Sequence, residues 1–483
     1  MKKSHSRIID GIVNEKGFIT DFCEASFREA EQAVKKTSVC ADGRRDYRQQ
    51  PFITIDDQDA KDFDDAIWCI ESSRGGGKLI VAIADVAAYV PPGGELDKAA
   101  KNRGTSVYLP DRVLPMLPEA ISNEACSIKP GVERLCLACE MLVQDGKVRE
   151  YHFFRGIMKS SNRLNYDESA VLMEEASSPM GLLASLARDF RQKRKDCGGL
   201  IIERPEQKIK INGGISCQTV KRNIAHLAIE ECMIAANRCA ADFIIRERRS
   251  ALHRIHKKPS PESVDKLCRL LAELGIVFPQ DPSGKDFAEA ITAADKKSAA
   301  LGNALLPVIL GTLGRAYYAP DTTSGHFGLA CRRYMHFTSP IRRYPDLLTQ
   351  RALIAALEKN ERHTDNSIAA VGEHCSEQEV KADKAEWDCR QRLLCAAAKE
   401  RVGECFSAFV SGTVGFGVFV SVPELNLEGL VRIADIPGYW QHMPKNNSFV
   451  QGNSTISLGD SMKVRLSGIN PEKGRAKFLP LRA

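Results

Sequence analysis

The chain has 483 residues, of which 43% are hydrophobic and 27% are charged; this composition excludes a wholly disordered protein and predicts about two to four folded domains. Its 68 basic and 62 acidic residues give a formal net charge of +6, which is compatible with a nucleic-acid partner but far from that of a polycation. No stretch approaches the roughly 18 consecutive apolar residues of a membrane span, so no membrane segment is expected.

The 16 cysteines are scattered along the chain, mostly beside Ala, Leu or Ile. Because the chain opens without the apolar core of a secretory signal, we expect reduced, largely buried thiols and a cytoplasmic location. Cys136 and Cys139 form a CxxC pair, but no second pair stands at the spacing of a zinc site. Neither a disulfide scaffold nor structural zinc is therefore predicted.

The first half of the chain alternates strand-like segments and loops after a polar, partly helical lead-in. The lead-in covers residues 1–50 and contains one helical stretch near 24–36. Apolar runs rich in β-branched residues then predict strands at 52–56, 66–70 and 79–89.

The second half is mainly helical by the periodicity of its apolar residues. Helical segments are predicted at 166–195, 225–246, 261–318, 339–359 and 365–400. The segment at 339–359 is expected to begin with Ser339 as its N-cap and Pro340 in its first turn, since helix starts prefer these residue types.

From about Val402 the chain changes to short β-like runs separated by Gly, Pro and Asn. Short strands at this spacing are typical of a small antiparallel barrel. We therefore predict a mixed α/β (α+β) body over residues 51–400, after the lead-in, and an all-β barrel domain over residues 402–483.

The acidic loop between the first two predicted strands is the most informative segment. Carboxylates packed so densely repel one another unless a cation lies among them, and oxygen ligands without nearby Cys or His favour Mg²⁺ or Mn²⁺ over zinc. A solvated acidic turn is the alternative; an EF-hand calcium loop is disfavoured because the segment lacks the required Gly and final Glu. The six aspartates of the loop are Asp56, Asp57, Asp59, Asp62, Asp64 and Asp65.

The acidic loop indicates phosphoryl chemistry. Magnesium held by a few carboxylates usually completes its shell with water and phosphate oxygens. Two such ions about 4 Å apart can clamp an in-line phosphodiester displacement. This pattern does not by itself separate a nuclease from a polymerase or a phosphatase.

The arginine-rich segment CRRYMHFTSPIRRYPDL is the second candidate for the site. A helix that begins at Ser339 would offer free backbone N–H groups to an anion. Arg342, close to that start, could donate two hydrogen bonds to a phosphate. The alternative is a basic helix start whose arginines pair with carboxylates of the core.

Further candidates are two tyrosines and two neighbouring glutamates. Tyr108 lies in a proline-bounded loop where its ring could stack on a base, and Tyr166 has the same ambiguity between a ligand contact and a buried structural role. Glu230 and Glu231 are unusual in so apolar a helix, and we expect one to be a satisfied buried carboxylate and the other to face a ligand. Residues 188–222 carry ten Lys or Arg against four Asp or Glu, which fits either a nucleic-acid path or a solvated face.

Four motifs, in this order along the chain, resemble those of the ribonuclease II / ribonuclease R family. The first, T-I-D followed by D-A-K-D-F-D-D-A, stands at 54–56 and 59–66, and the second, Y-L-P, at 108–110. The third, H-L-A-I-E-E-C-M-I-A-A-N, stands at 226–237, and the fourth, H-F-T-S-P-I-R-R-Y-P-D, at 336–346. The resemblance covers nearly the whole chain and implies an RNB-type exoribonuclease body.

The tail resembles an S1-type RNA-binding OB barrel. G-F-G-V-F-V at 415–420 and E-G-L-V at 428–431 match the aromatic and turn positions of such domains, while Arg432 stands where many of them carry His. The resemblance implies that Phe416 and Phe419 stack on bases.

The resemblance also implies a role for each candidate residue. The metal ligands would be Asp56, Asp62, Asp64 and Asp65, with Mg²⁺, or Mn²⁺, as the cofactor. The catalytic residues would be Asp64, Arg342 and Tyr108. The RNA-binding residues would be Tyr108, Tyr166, Glu230, Glu231, Arg343, Phe416 and Phe419.

Two departures from the family pattern bear on how RNA is held. Larger members carry two cold-shock-type domains before the body, and with only about fifty preceding residues these are expected to be absent. In addition, Ile202 stands where the family has a base-stacking Phe. A weaker aromatic clamp is therefore expected, with Tyr108 carrying more of the contact.

The resulting hypothesis is a processive, hydrolytic 3′→5′ exoribonuclease that degrades single-stranded RNA to nucleoside 5′-monophosphates in mRNA decay. We expect it to act as a cytoplasmic monomer without a membrane or DNA partner. One alternative is a catalytically silent RNA-binding regulator of the same fold, and another is a deoxyribonuclease or other phosphodiesterase. Assays on labelled RNA and DNA substrates distinguish all three.

Overall fold

The computed structural model describes residues 2–37, 39–40, 43–211, 214–360 and 367–481. Its α-helices are α1 (Lys2–Lys16), α2 (Glu24–Lys36), α3 (Glu95–Arg103), α4 (Tyr166–Leu172), α5 (Pro179–Asp196), α6 (Ile224–Arg246), α7 (Pro261–Glu273), α8 (Gly284–Lys297), α9 (Ala299–Leu313), α10 (Tyr344–Leu357) and α11 (Ile368–Ala398).

The strands of the body are β1 (Arg45–Ile55), β2 (Asp65–Glu71), β3 (Gly77–Ala84), β4 (Val107–Tyr108), β5 (Val113–Leu114), β6 (Glu133–Gln144), β7 (Lys147–Leu164), β8 (Glu206–Ile211), β9 (Ile215–Val220), β10 (His253–Ile255) and β11 (Tyr317–Ala319). Those of the tail are β12 (Cys405–Val414), β13 (Gly417–Val422), β14 (Leu427–Arg432), β15 (Gln441–Met443), β16 (Ser448–Gln451), β17 (Ser454–Ser457), β18 (Ser461–Asn470) and β19 (Arg475–Pro480).

The body is built on a closed barrel in the order β1-β2-β3-β6-β7, in which β1 and β7 pair in parallel and the other neighbours are antiparallel. Alternate side chains of a strand point to opposite sides, and both faces of β3 are buried. Leu79, Val81 and Ile83 belong to the core that includes α5 and α6, while Ile80 and Ala82 belong to a second core on the other face.

The strand predicted at 79–89 is shorter than expected. It ends at Ala84, and the side chain of Asp85 then accepts a hydrogen bond from Ala88 N–H at the start of a short 3₁₀ turn. The predicted helical segment at 166–195 is two helices, α4 and α5, with Asn165 and Ser178 as their N-caps. Local capping side chains explain both boundaries.

The predicted helix start at Ser339 is wrong. Residues 339–343 form a turn in which Arg343 N–H donates to the Ser339 carbonyl at 2.9 Å, and α10 begins only at Tyr344, with Pro345 in its first turn. The cause is a long-range contact, because Ile341 N–H donates to the carboxylate of Asp64 instead of facing an anion from solvent.

The tail is a second closed barrel, in the order β12-β13-β14-β19-β18, with a small sheet of β15, β16 and β17 inserted between β14 and β18. Its apolar core also contains Leu394, Cys395 and Ala398 from the end of α11. The barrel and the long helix α11 therefore share one core, and α11 connects the tail to the body.

Two further expectations concern the state of the cysteines and membrane-spanning segments. Each of the 16 cysteines is a free thiol, and most of them are buried. Across the part of the chain that the structure describes, no helix combines the length and apolar character needed to cross a membrane.

Candidate active site

A cavity of about 860 Å³ opens in the body where the acidic loop, the β4 loop, the start of α4, α6 and the turn before α10 meet. It gathers residues that are far apart in sequence. The predicted site residues that line it are Asp56, Asp62, Asp64, Asp65, Tyr108, Tyr166, Glu230, Arg342 and Arg343.

Three of the aspartates are held in an environment that disfavours their negative charge. Burial, together with the charges of Asp57 and Asp62, raises the pKa of Asp56 to about 6. Burial and the charge of Asp56 raise the pKa of Asp65 to about 7. Desolvation also raises the pKa of Asp64 well above its usual value, although the Arg342 charge and the Ile341 N–H oppose that shift.

The donors of the acidic loop are chemically suited to a hard divalent cation. Asp65 Oδ2 is buried and has no hydrogen-bond partner. All four predicted ligands offer carboxylate oxygens, which Mg²⁺ and Mn²⁺ prefer, and a cation would offset their mutual repulsion. However, no three His, Cys, Asp or Glu side chains among the described residues are already arranged as a metal cluster. The chemistry of these carboxylates suits a divalent cation, but in the described structure they are not grouped closely enough to form a metal site.

Tyr108 lies at the mouth of the cavity. Its hydroxyl donates to Asp62 Oδ2 at 2.9 Å, and its side chain remains partly exposed. Desolvation and the neighbouring Asp62 charge raise the pKa of Tyr108, so the hydroxyl keeps its proton at neutral pH. An amphipathic ring fixed by one hydrogen bond, with an accessible surface, can stack against a planar base.

Arg342 faces the acidic loop from the turn before α10. Its Nη2 donates to Ser339 Oγ at 2.9 Å, and its Nε lies 3.6 Å from Asp64 Oδ2. The turn is held by the fully buried Asp346, whose Oδ1 accepts from Ser339 N–H at 2.8 Å and from Arg343 Nη2 at 2.7 Å. The guanidinium of Arg342 is thus oriented but still partly accessible, whereas that of Arg343 is engaged in a structural ion pair.

Tyr166 is placed by the start of α6. Its ring stacks on His226 with a centroid distance of 3.8 Å and an interplanar angle of 10°. Asn223, the N-cap of α6, donates from Nδ2 to the Tyr166 carbonyl at 3.0 Å and from its backbone N–H to His226 Nδ1 at 3.2 Å. The sequence motif contained His226, but no signal in the sequence assigned it to Tyr166.

The two glutamates of α6 lie in different environments: one is buried and the other lines the cavity. Glu231 is buried and accepts from Arg194 Nη2 at 2.5 Å, and it does not line the cavity. Glu230 lines the cavity and also pairs with Arg194 and Arg222, whose charges outweigh desolvation and lower its pKa. The expected RNA contact is therefore supported by position for Glu230 and not for Glu231.

The other predicted RNA-binding residues lie outside the cavity. Phe416 and Phe419 belong to the tail barrel, where Phe416 is 62% exposed and Phe419 is half-buried. Sequence reasoning missed Arg194 and Arg222, whose partners lie on a different helix segment, and Ser339 as the residue that orients Arg342. The pairing of Arg194 with α6 is a tertiary contact between two helices, whereas Ser339 and Arg342 stand only three residues apart, a spacing from which the sequence reasoning drew no contact.

The RNB domain matches residues 44–359, the part of the chain that contains every residue named above as lining the cavity. The chain belongs to the RNB family. It is 38% identical to ribonuclease R of Escherichia coli (strain K12), over 90% of this chain and 57% of that protein. It is 33% identical to ribonuclease R of Aquifex aeolicus, over 97% of this chain and 70% of that protein.

Solved structures of RNB-family proteins share the architecture. Mycoplasma genitalium RNase R, in its apo form and in complex with ribose-methylated single-stranded RNA, superposes with a TM-score of 0.90 at 26% identity. Each superposition covers 98% of this chain and 77% of that one. The predicted family and the predicted mixed body with an S1-type OB barrel are confirmed. The chain spans about 57% of the length of the Escherichia coli relative.

Proposed function

We propose that the protein is a processive, hydrolytic 3′→5′ exoribonuclease that releases nucleoside 5′-monophosphates from single-stranded RNA. The observation that carries the proposal is the convergence of the acidic loop, Tyr108 and Arg342 on one cavity. The relatives named ribonuclease R and the RNA complex of the Mycoplasma enzyme support the same activity. The cavity volume of about 860 Å³ is adequate for a few nucleotide units and their phosphates.

The residues divide the chemistry between them. Arg342 binds the scissile phosphate and stabilises the negative charge that develops on it during displacement. Tyr108 stacks on the terminal base and holds the phosphodiester in line, which lowers the entropic cost of reaching the reactive geometry. A divalent cation such as Mg²⁺, or Mn²⁺, held by Asp56, Asp62, Asp64 and Asp65, would supply Lewis-acid polarisation and a water of lowered pKa.

The selectivity for RNA would come from polar groups that reach the ribose. Tyr166 and Glu230 both line the cavity, and the 2′-hydroxyl can donate and accept hydrogen bonds. Phe416 and Phe419 on the tail would hold upstream bases by stacking. Arg343 is proposed to support the phosphate site through its ion pair with Asp346 and not by direct contact with RNA.

We also propose a cellular location, an oligomeric state and a process for the enzyme. We place it in the cytoplasm as a monomer that takes part in RNA decay, with no membrane or DNA partner. Its free thiols suit a reducing compartment.

The decisive experiment uses 5′-labelled poly(A) with Mg²⁺ and compares the wild-type chain with Asp64→Asn. We expect stepwise release of mononucleotides by the wild type and loss of hydrolysis by the variant, with RNA binding retained because phosphate capture is spread over many groups. A single-stranded DNA oligonucleotide of the same length is the substrate control.

Three outcomes would contradict the proposal. Binding of RNA by the wild type without mononucleotide release would favour the silent regulator. Equal degradation of RNA and DNA would favour a general phosphodiesterase. Hydrolysis by Asp64→Asn at the wild-type rate would remove the acidic loop from the chemistry.

A further inference from the structure

A second, smaller cavity of about 290 Å³ lies beside α6 and is distinct from the candidate active site. Its walls come from the start of β7, the end of α5 and the face of α6 that carries Glu231. Ile234 contributes to both cavities, so α6 forms the partition between them. We call this smaller cavity the α6 pocket.

The α6 pocket carries three cations that pair with no other side chain in the described part of the chain. Lys147, Lys193 and Arg238 line it, and none of them makes an ion pair or side-chain hydrogen bond with other described residues. Lys147 and Arg238 are exposed at its mouth and Lys193 is half-buried. Three unpaired positive groups around one small concave surface form an anion-binding environment.

Each of the two acids in the wall of the α6 pocket already has a cationic partner. Glu231 accepts from Arg194 Nη2 at 2.5 Å, and the same guanidinium nitrogen lies 2.7 Å from Glu230. Asp242 is 3.7 Å from Arg333. The lining carries four cationic side chains, Lys147, Lys193, Arg194 and Arg238, against the carboxylates of Glu231 and Asp242, so the net charge of the pocket wall is positive.

Two aromatic side chains also form part of the wall of the α6 pocket. Phe190, which is almost fully buried, and Tyr151, which is half-buried, both line it. Aromatic side chains bind planar bases through their faces, with little dependence on base identity. A volume of about 290 Å³ is near the lower end of the range for small-molecule pockets, roughly 300–1,000 Å³.

We propose that the α6 pocket binds a nucleoside 5′-monophosphate. The phosphate, which carries about −1.5 to −2 charges at neutral pH, would meet Lys147, Lys193 and Arg238, and the base would lie against Phe190 and Tyr151. This ligand is also the product expected of the neighbouring cavity. Its identification as a product rests on the proposed function, whereas the charge and shape of the pocket do not.

The test must separate the α6 pocket from the active-site cavity, which also accepts nucleotides under the proposed function. Asp64→Asn protein is first saturated with a single-stranded RNA oligonucleotide, checked by gel shift, so that the larger cavity is filled. AMP, adenosine and inorganic phosphate are then titrated separately by isothermal calorimetry. We expect one AMP per chain to bind, with adenosine and phosphate each at least tenfold weaker.

The variant that tests the residues is Lys193→Ala/Arg238→Ala on the same Asp64→Asn background. Because neither side chain pairs with another residue that the structure describes, the fold should be preserved, which circular dichroism and the melting temperature verify. We expect AMP affinity to fall at least tenfold. Lys35→Ala/Lys36→Ala on α2 removes the same charge from an exposed helix and should leave AMP binding unchanged.

Each result is decisive. No AMP uptake by the RNA-saturated protein, or unchanged AMP affinity in Lys193→Ala/Arg238→Ala, overturns the pocket assignment. Phosphate that binds as tightly as AMP overturns the nucleotide specificity. Wild-type protein that releases no mononucleotides from RNA overturns the proposed function alone, and AMP binding that persists in the RNA-saturated variant would still establish the pocket.

Discussion

Single residues of the acidic loop are placed where their charge costs stability. The Asp65 carboxylate is buried beside Asp56, and its Oδ2 has no partner. We therefore expect Asp65→Asn to raise the melting temperature in metal-free buffer, by about 2 °C or more, because a neutral amide replaces a disfavoured charge. The variant should also lose most of the stabilisation that added Mg²⁺ gives the wild type, since ligand binding to the folded state alone raises stability.

The measurement is a pair of thermal melts, with EDTA and with Mg²⁺. Asp59→Asn is the matched control, because Asp59 belongs to the same loop but is exposed. It should change neither melt appreciably. An Asp65→Asn protein that is less stable than wild type in EDTA, or that responds fully to Mg²⁺, would contradict this account of the loop.

Arg342 has a geometry that suits the proposed phosphate contact. Its Nη2 is fixed by Ser339 while the rest of the guanidinium faces the cavity. Arg342→Lys keeps the charge but loses the planar pair of donors, so kcat on RNA should fall about 100-fold with a smaller change in KM. Single-turnover hydrolysis measures this, with the exposed Arg332→Lys as control. A change confined to KM would instead assign Arg342 to uniform substrate binding.

At the scale of single elements, the first helix supports the Tyr108 loop. Arg112 of this loop lies 2.8 Å from Asp10 and donates to Ser6 Oγ at 3.0 Å, both on α1. Ile9, Ile12 and Val13 of α1 share an apolar core with Val107, Leu109 and Leu114. Since α1 contacts this loop from outside the matched RNB domain, we expect it to hold the loop in position.

The prediction for this element is that Arg112→Ala lowers kcat about tenfold, because small displacements of a positioning group are costly to the reactive geometry. Asp10→Asn should cause a similar but smaller loss, and the double variant should lose less than the product of the two effects, since both changes act on one contact. Steady-state kinetics of the four proteins measure the coupling. Strictly multiplicative losses would show that α1 does not act through Arg112.

Element prediction from sequence succeeded where local signals decide and failed where a distant residue does. Helix α6 was expected at 225–246 and occurs at Ile224–Arg246, because Asn223 caps it and its apolar pattern is continuous. The start of α10 was misplaced because Ser339 and Pro340 are good local start signals. The hydrogen bond from Ile341 N–H to Asp64 joins residues 277 positions apart in the sequence, so local propensity cannot predict it.

For the whole molecule, the order of body and tail was predictable from composition, but the closure of the body barrel was not. Closure depends on the parallel pairing of β1 with β7, which joins Phe52–Ile55 to Ser160–Leu164. Nothing in the sequence of either strand predicts this long-range pairing. The acidic loop and the arginine-rich segment could be proposed as parts of a site because they are dense in Asp and Arg. Their common cavity emerges only once the barrel and α6 are packed together.

The shared core of α11 and the tail decides how the tail should be tested. Deleting residues 402–483 would expose Leu394, Cys395 and Ala398, so any loss of RNA binding could reflect damage to the body. Phe416→Ala avoids this problem, because Phe416 is 62% exposed and its removal leaves the core intact. Base stacking is worth roughly 1–3 kcal/mol per base, so affinity for long single-stranded RNA should fall about tenfold.

The same variant should hydrolyse short oligonucleotides, which occupy only the active-site cavity, at the wild-type rate, because the tail barrel lies outside that cavity. Fluorescence anisotropy at increasing salt separates stacking from charge: the slope of log affinity against log salt should be unchanged, since no phosphate contact is removed. Leu479→Ala, a partly exposed apolar residue on β19, is the control. Equal affinity of Phe416→Ala and Leu479→Ala for long RNA would place the RNA path elsewhere on the molecule.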